Sequence, residues 1–144
     1  MTPRMNLHKS HRLGMAAVLG LEAYSRTHVQ SGLYELVQLR ASILNQCRYC
    51  IDVHTKALTK RGETPERIQA LHDTNLDPAV FEPREIAALR LTDAETHLAD
   101  GGVPDEVWAE AGKHFTDSQL GDLVIAIATI NVWNRIGVTT RRQP

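Results

Sequence analysis

Residues Asn45-Gln-Cys-Arg-Tyr-Cys-Ile-Asp-Val-His54 hold both cysteines of the chain, and the rest of the sequence is read outward from them. Cys47, Cys50 and His54 follow an i, i+3, i+7 spacing. On a helix that spacing is one stripe, so three reactive side chains share a face. Immediately upstream, Leu33, Leu36, Val37, Ile43 and Leu44 recur at helical intervals over about 32–46, after Ser31 as a candidate N-cap. A helix therefore leads into the cysteine pair. A thioredoxin fold places its Cys-x-x-Cys after a strand in a βαβ unit, so that fold is set aside.

Helical punctuation continues in both directions. Toward the N-terminus, Leu13, Ala17, Leu21 and Tyr24 are spaced by fours and threes over about 12–26, and residues 1–10 read as a loose arm. Toward the C-terminus, the cysteine helix covers about 49–60 and stops at Gly62. Thr64-Pro65-Glu66 starts another, with a cap, a first-turn proline and an acid near the positive end of the dipole. A turn surrounds Asp77-Pro78. Pro83 opens a helix over about 83–98, with Ile86, Leu89 and Ala94 inward, and Gly101-Gly102 breaks it. Pro104 opens the next, over about 104–114. Thr116 with Gln119 forms a capping box for the last, about 117–136. That helix is apolar nearly all round, as a core element or a subunit-interface element is. Asn131, Trp133, Asn134 and Arg135 interrupt it, either as packing and a polar helix end or, for Trp133, as an interface residue. No convincing period-two strand, repeat or linker divides the chain. The expectation is one all-α domain over residues 1–144 with six or seven helices, arranged as a helical bundle.

Composition narrows the function. The chain of 144 residues has 16 Lys+Arg against 17 Asp+Glu, a net charge of −1, without the basic excess of a nucleic-acid binder. Two cysteines are too few for a secreted disulfide scaffold. The apolar run Leu13–Leu21 after Arg4, Lys9 and Arg12 imitates a signal peptide, but Glu22 ends it and no small-residue cleavage site follows. Leu123–Ile130 is far shorter than the roughly 20 residues of a membrane span. A cytoplasmic protein with normally reduced thiols is expected, bound neither to nucleic acid nor to membrane.

Several chemistries fit the cysteine segment. Both thiols could be small buried hydrophobes. Cys-x2-Cys-x3-His could supply three zinc ligands, with a fourth from His28, His72, His97 or His114 brought in by the fold. The redox reading has the most direct physical support. A Cys-x-x-Cys at a helix start can close a disulfide within one turn. Unpaired N–H groups, the helix dipole and Arg48 favour thiolate there, and His54 is placed to act as base or proton relay. A thiolate that attacks a peroxide becomes a sulfenic acid, which a neighbouring thiol condenses to a disulfide. No metal or other cofactor is required. Glu63, Glu66 and Arg67 read as a solvated helix start, and Glu106 with Glu110 as a surface acidic pair.

Glu35, eleven residues and then Cys47-Arg-Tyr-Cys50-Ile-Asp-Val-His54 resembles the E-x11-C-x2-C-x3-H signature of the AhpD-like alkylhydroperoxidases, within the carboxymuconolactone decarboxylase family. Leu39-Arg-Ala-Ser-Ile-Leu-Asn45 and Ala126-Ile-Ala-Thr-Ile-Asn-Val-Trp-Asn-Arg135 fit the same pattern, and the similarity spans about residues 5–138. The resemblance implies an all-helical fold and a homotrimer or homohexamer. It makes Cys50 the peroxide-attacking cysteine, Cys47 the resolving cysteine, and Glu35 with His54 the proton relay. The implied substrate is a hydroperoxide, and the implied reductant is a dithiol carrier such as a lipoyl protein. Some members carry a histidine just before the second cysteine, where this chain has Tyr49, so one proton carrier is missing. Spacing alone does not bring Glu35 to the thiols: twelve residues of straight helix span about 18 Å. The next helix must fold back, or a second subunit must contribute. Two alternatives stay open: a lactone decarboxylase of the same family, which does not depend on the cysteine pair, and a non-enzymatic helical assembly with a regulatory disulfide or zinc site.

Overall fold

The computed structural model describes residues 2–144, and every regular element in them is a helix. The order is α1 (Leu7–Ser10), α2 (Arg12–His28), α3 (Ser31–Leu44), α4 (Arg48–Lys60), α5 (Pro65–Ala70), α6 (Pro83–Thr96), a 3-10 turn (Leu98–Asp100), α7 (Asp105–Gly112) and α8 (Asp117–Thr140). The eight α-helices among the described residues exceed the six or seven expected, because Leu7–Ser10 forms a short extra turn. Of residues 1–10, expected to form a loose arm, Met1 lies outside the described residues and the segment from Thr2 on is tethered through Arg4. The Arg4 N–H donates to the Thr140 carbonyl at 2.8 Å, and Arg4 Nη1 donates to Thr139 O at 3.1 Å.

The capping signals act as the sequence says at most ends. Thr64 accepts from Arg67 N–H, the Thr116–Gln119 capping box is closed, and Gly62 and Gly101 take the left-handed backbone that ends their helices. At α3 the cap is Gln30 and not Ser31: the Gln30 side chain accepts from Leu33 N–H.

Helix α3 is the wall on which the fold is built. Every residue from Leu33 to Ser42 is buried, and α3 packs against α4, α6 and α8. One side of it, through Leu33, Tyr34 and Val37, joins a core with Leu91, Leu123 and Ile127. The other side, through Leu36 and Leu39, joins a core with Leu58, Phe81 and Leu89 from α4 to α6. A helix buried all round must satisfy its polar side chains inside the protein. Gln38 donates to Ala126 O, Ser42 to Gln38 O, and Arg40 forms a two-pronged pair with Asp93 at 2.7 and 2.8 Å.

Helix α8 is the other core element. It is long and apolar enough to span a membrane by length and composition, but half of that window is buried against the rest of the protein. Helix α2 lies along it, and Tyr24 donates a 2.7 Å hydrogen bond to Asp122. The apolar stripe of α2 does not face inward as its spacing implies. Leu13 is 87% exposed, Leu19, Leu21 and Tyr24 are also exposed, and Met15 and Ser25 are its buried positions. Periodicity defines a stripe without saying which partner covers it.

Candidate active site

The turn between α3 and α4 builds the site. Helix α3 ends in a Schellman motif: Cys47 N–H donates to Ser42 O and Gln46 N–H to Ile43 O, both at 3.0 Å. The left-handed position falls on Gln46 (φ 54°), where glycine is usual. The chain therefore reverses within two residues, and Cys47 becomes the N-cap of α4. Asn45 holds this turn to α8. Its Nδ2 lies 2.9 Å from both Asn131 Oδ1 and Asn134 Oδ1, and Asn134 in turn donates to Ser42. The asparagines near the end of α8 thus fasten the cysteine turn to the core.

Cys47 and Cys50 are joined as a disulfide, with Cα atoms 5.3 Å apart. Both are buried, but differently. Cys47 is 1% exposed and Cys50 6%, and Cys50 lines a cavity of about 180 Å³. Helix α8 covers the disulfide through Gly137. A Cβ at that position would lie 2.8 Å from Cys47 Sγ and 3.5 Å from Cys50 Sγ, so the close approach requires glycine.

Because α4 folds back along α3, His54 reaches Glu35: Nδ1 and Oε2 are 2.8 Å apart, both side chains buried. This is the within-chain solution to the 18 Å problem, with no second subunit needed. With Nδ1 engaged by the Glu35 carboxylate, Nε2 is the ring nitrogen left without a protein partner. His54 lines the same cavity as Cys50, one helical turn away. The other Glu35 oxygen accepts from Arg26 Nη1 at 3.2 Å, and Arg26 also pairs with Glu22 at 2.9 Å. The Arg26 guanidinium lies 5.0 Å from the Tyr34 ring centroid. Burial pushes the Tyr34 hydroxyl well above its ordinary pKa, so it remains a protonated donor on the cavity wall.

The four residues singled out from the sequence, Cys47, Cys50, His54 and Glu35, thus form one connected site. Sequence reasoning missed Arg26, Tyr34 and Gly137, which approach from elsewhere in the fold. It also missed the far rim, where Arg142 Nη2 donates to Tyr49 Oη at 2.7 Å and His8 stacks on Trp133 at 6.1 Å. Trp133, read as a candidate interface residue, lines the cavity. Glu63 and Arg67 are not a freely solvated helix start, because Arg67 pairs with both Glu63 and Glu85. Glu110 pairs with Lys113 and His114. Among the described residues, no three His, Cys, Asp or Glu side chains group as metal ligands would.

Comparison with known proteins agrees with this architecture. Residues 13–94 match the model of the carboxymuconolactone decarboxylase family. The uncharacterised protein YdfG of Bacillus subtilis is 35% identical over 139 residues, covering 96% of this chain and 94% of its own. A crystal structure of an Agrobacterium tumefaciens protein of unknown function, provisionally named antioxidant defence protein AhpD, superposes with a TM-score of 0.94. It is 34% identical, and the match covers 99% of this chain and 97% of that one. A peroxidase-related protein from Silicibacter sp. shares the fold at a TM-score of 0.78 and 18% identity, over 90% of this chain and 69% of its own. With a family match over more than half its length and a full-length relative above 30% identity, the chain is an AhpD-like member of the carboxymuconolactone decarboxylase family.

Proposed function

We propose that the protein is a cysteine-based peroxidase that reduces hydroperoxides through the Cys47–Cys50 pair. The observation that carries this reading is a cavity lined by Cys50, the partner of Cys47 in the disulfide, and by His54, which is hydrogen-bonded to the buried Glu35. In the dithiol state His54 takes the Cys50 proton. The thiolate attacks the terminal peroxide oxygen, the O–O bond breaks, and the proton goes to the departing alkoxide, giving Cys50 sulfenic acid and an alcohol. The Cys47 thiol then displaces hydroxide from that sulfur, releasing water and forming the disulfide. A dithiol reductant, such as a lipoyl protein, takes the oxidising equivalents by exchange and restores both thiols. Glu35 orients the imidazole and Arg26 holds Glu35. The N-cap position of Cys47 and first-turn position of Cys50 add the dipole's preference for thiolate. Cys50 is the attacking sulfur in this reading because it is the one on the cavity.

The test is mass spectrometry of reduced protein after one equivalent of hydroperoxide. Wild type forms the disulfide. Cys47→Ser accumulates a trappable sulfenic acid on Cys50, and Cys50→Ser consumes peroxide at background rate. Sulfenic acid on Cys47 of Cys50→Ser at the wild-type rate would reverse the roles. Thiols no faster than free cysteine in wild type would overturn the peroxidase reading in favour of the decarboxylase branch.

The exposed stripe of α2 supports self-association, as a trimer or hexamer, with Leu13 and Leu21 covered by another copy. Sedimentation showing only a 16.1 kDa species at micromolar concentration would rule this out. A reducing compartment such as the cytoplasm suits the cycle, since the disulfide must be reopened at each turnover.

A further inference from the structure

The cavity's charges pair off at one end and not at the other. At the Glu35 end, Arg26 is shared between Glu22 and Glu35, and Glu35 also accepts from His54. At the opposite rim Arg142 has no carboxylate partner among the described residues. Its guanidinium lies 3.8 Å from the Tyr49 ring centroid, Nη2 donates to Tyr49 Oη at 2.7 Å, and Nη1 meets His8 Nε2 at 3.1 Å. Its backbone N–H is fixed on Gly137 O at 2.9 Å. No carboxylate lies within ion-pair distance among the described residues, and Arg142 lines the same cavity as Cys50. Two of the five guanidinium N–H groups are used, so a planar face of donors remains. Between the two ends the walls include Leu19, Val53, Ile130 and Ile136. An arginine held by a tyrosine and an imidazole, with no carboxylate beside it, on the wall of a largely apolar cavity is pre-ordered to receive a carboxylate in two-pronged fashion. Tyr49, which stands where some relatives have a histidine, has become the platform for that arginine.

We infer that Arg142 is a substrate-recognition residue, and that the cavity takes an amphiphilic acid: a hydroperoxide whose apolar body fills the space beside Cys50 and whose carboxylate sits on Arg142. At about 180 Å³ the cavity is slightly larger than a roughly 150 Å³ cavity known to hold benzene, so the body is of moderate length. This inference rests on the reading of the cavity as the substrate site, but its test does not require turnover.

Calorimetric titration of the oxidised protein with octanoate and with octanamide, its neutral analogue of the same shape, measures the carboxylate's share directly. Wild type is expected to bind octanoate about ten-fold more tightly, the scale of one charge-assisted contact. Arg142→Gln should bind the two alike. Tyr49→Phe, which frees Nη2 but keeps the ring, should retain part of the preference. Circular dichroism checks that each variant is folded, and raising the salt concentration on wild type should erode the preference without any substitution. Equal or absent binding of the two compounds by wild type overturns the inference, as does an octanoate preference that survives in folded Arg142→Gln. The two proposals fail separately. An octanoate preference without reaction of any hydroperoxide keeps the anion site and sinks the peroxidase. Turnover of a hydroperoxy acid and its methyl ester at equal efficiency, without an octanoate preference, does the reverse.

Discussion

Helix α3 buries two charged side chains five residues apart, and the protein treats them in opposite ways. Arg40 is saturated: Nε and Nη2 clasp Asp93, while Nη1 serves the Leu71 and Asp73 carbonyls, both at 2.7 Å. Its partners tie α3 to α6 and to the end of α5. Glu35 is held on two sides, by His54 and Arg26, but the histidine it orients opens onto a cavity that also exposes a sulfur. One charged pair joins three elements of the architecture, and the other reaches the cavity wall through His54. What separates them is not burial but what the partner can do: a guanidinium keeps its charge, whereas an imidazole can change it.

The largest effect should come from the architectural pair. Arg40→Met leaves Asp93 uncompensated and two carbonyls without donors, and should cost about 3–5 kcal/mol in urea denaturation. Glu35→Gln keeps the shape while removing the charge that orients and stabilises a protonated His54. It should slow peroxide attack by about ten- to a hundred-fold in stopped-flow assays, with stability reduced far less than in Arg40→Met. The loss should shrink as pH rises and the Cys50 thiolate forms unaided. A Glu35 variant as unstable as Arg40→Met would erase the distinction between the pairs.

Gly137→Ala sharpens the contrast from the α8 side. Its Cβ would press on Cys47 Sγ, and a disulfide cannot swing aside as a flexible side chain can. A loss of about 1–3 kcal/mol is expected for the oxidised protein, smaller once the thiols are reduced, as compared by thermal melts with and without reductant.

The smallest effect concerns Glu95, a third acid, on α6. Burial raises its carboxyl from 4.5 to about 7. The folded state therefore holds the proton more tightly than the unfolded chain, and stability is lost as pH rises from 4.5 through 7. Glu95→Gln should match wild type near pH 4 and exceed it by about 1 kcal/mol at pH 8, an amount already discounted for partial exposure. Melts across that range read it.

The difference between the two pairs also explains what was legible in the sequence. Cys47, Cys50 and His54 could be grouped because they lie on one helix, where spacing is geometry. Glu35 could be joined to them only by resemblance, because its proximity depends on a reversal at Gln46, a residue with no glycine-like signal for a left-handed turn. Arg40 stood in the same stretch of sequence without distinction, since its role is set by Asp93, fifty-three residues away. Gly137, Arg26, His8 and Arg142 were beyond reach for the same reason. The helices themselves were readable from their caps. The α2 stripe was legible as a stripe but not its exposure, because an apolar face looks the same in sequence whether a core or another molecule covers it.

The disulfide joins residues only three apart in the chain. A cross-link stabilises a fold chiefly by removing freedom from the unfolded chain, and the amount removed falls with the length of the loop it closes. A loop this short is near the bottom of that scale. The bond is therefore a poor staple, and under the proposed peroxidase cycle that is an advantage: opening it would put little of the folded state at stake. The Schellman turn and the asparagines of α8 hold the cysteine turn by hydrogen bonds that do not involve the sulfurs.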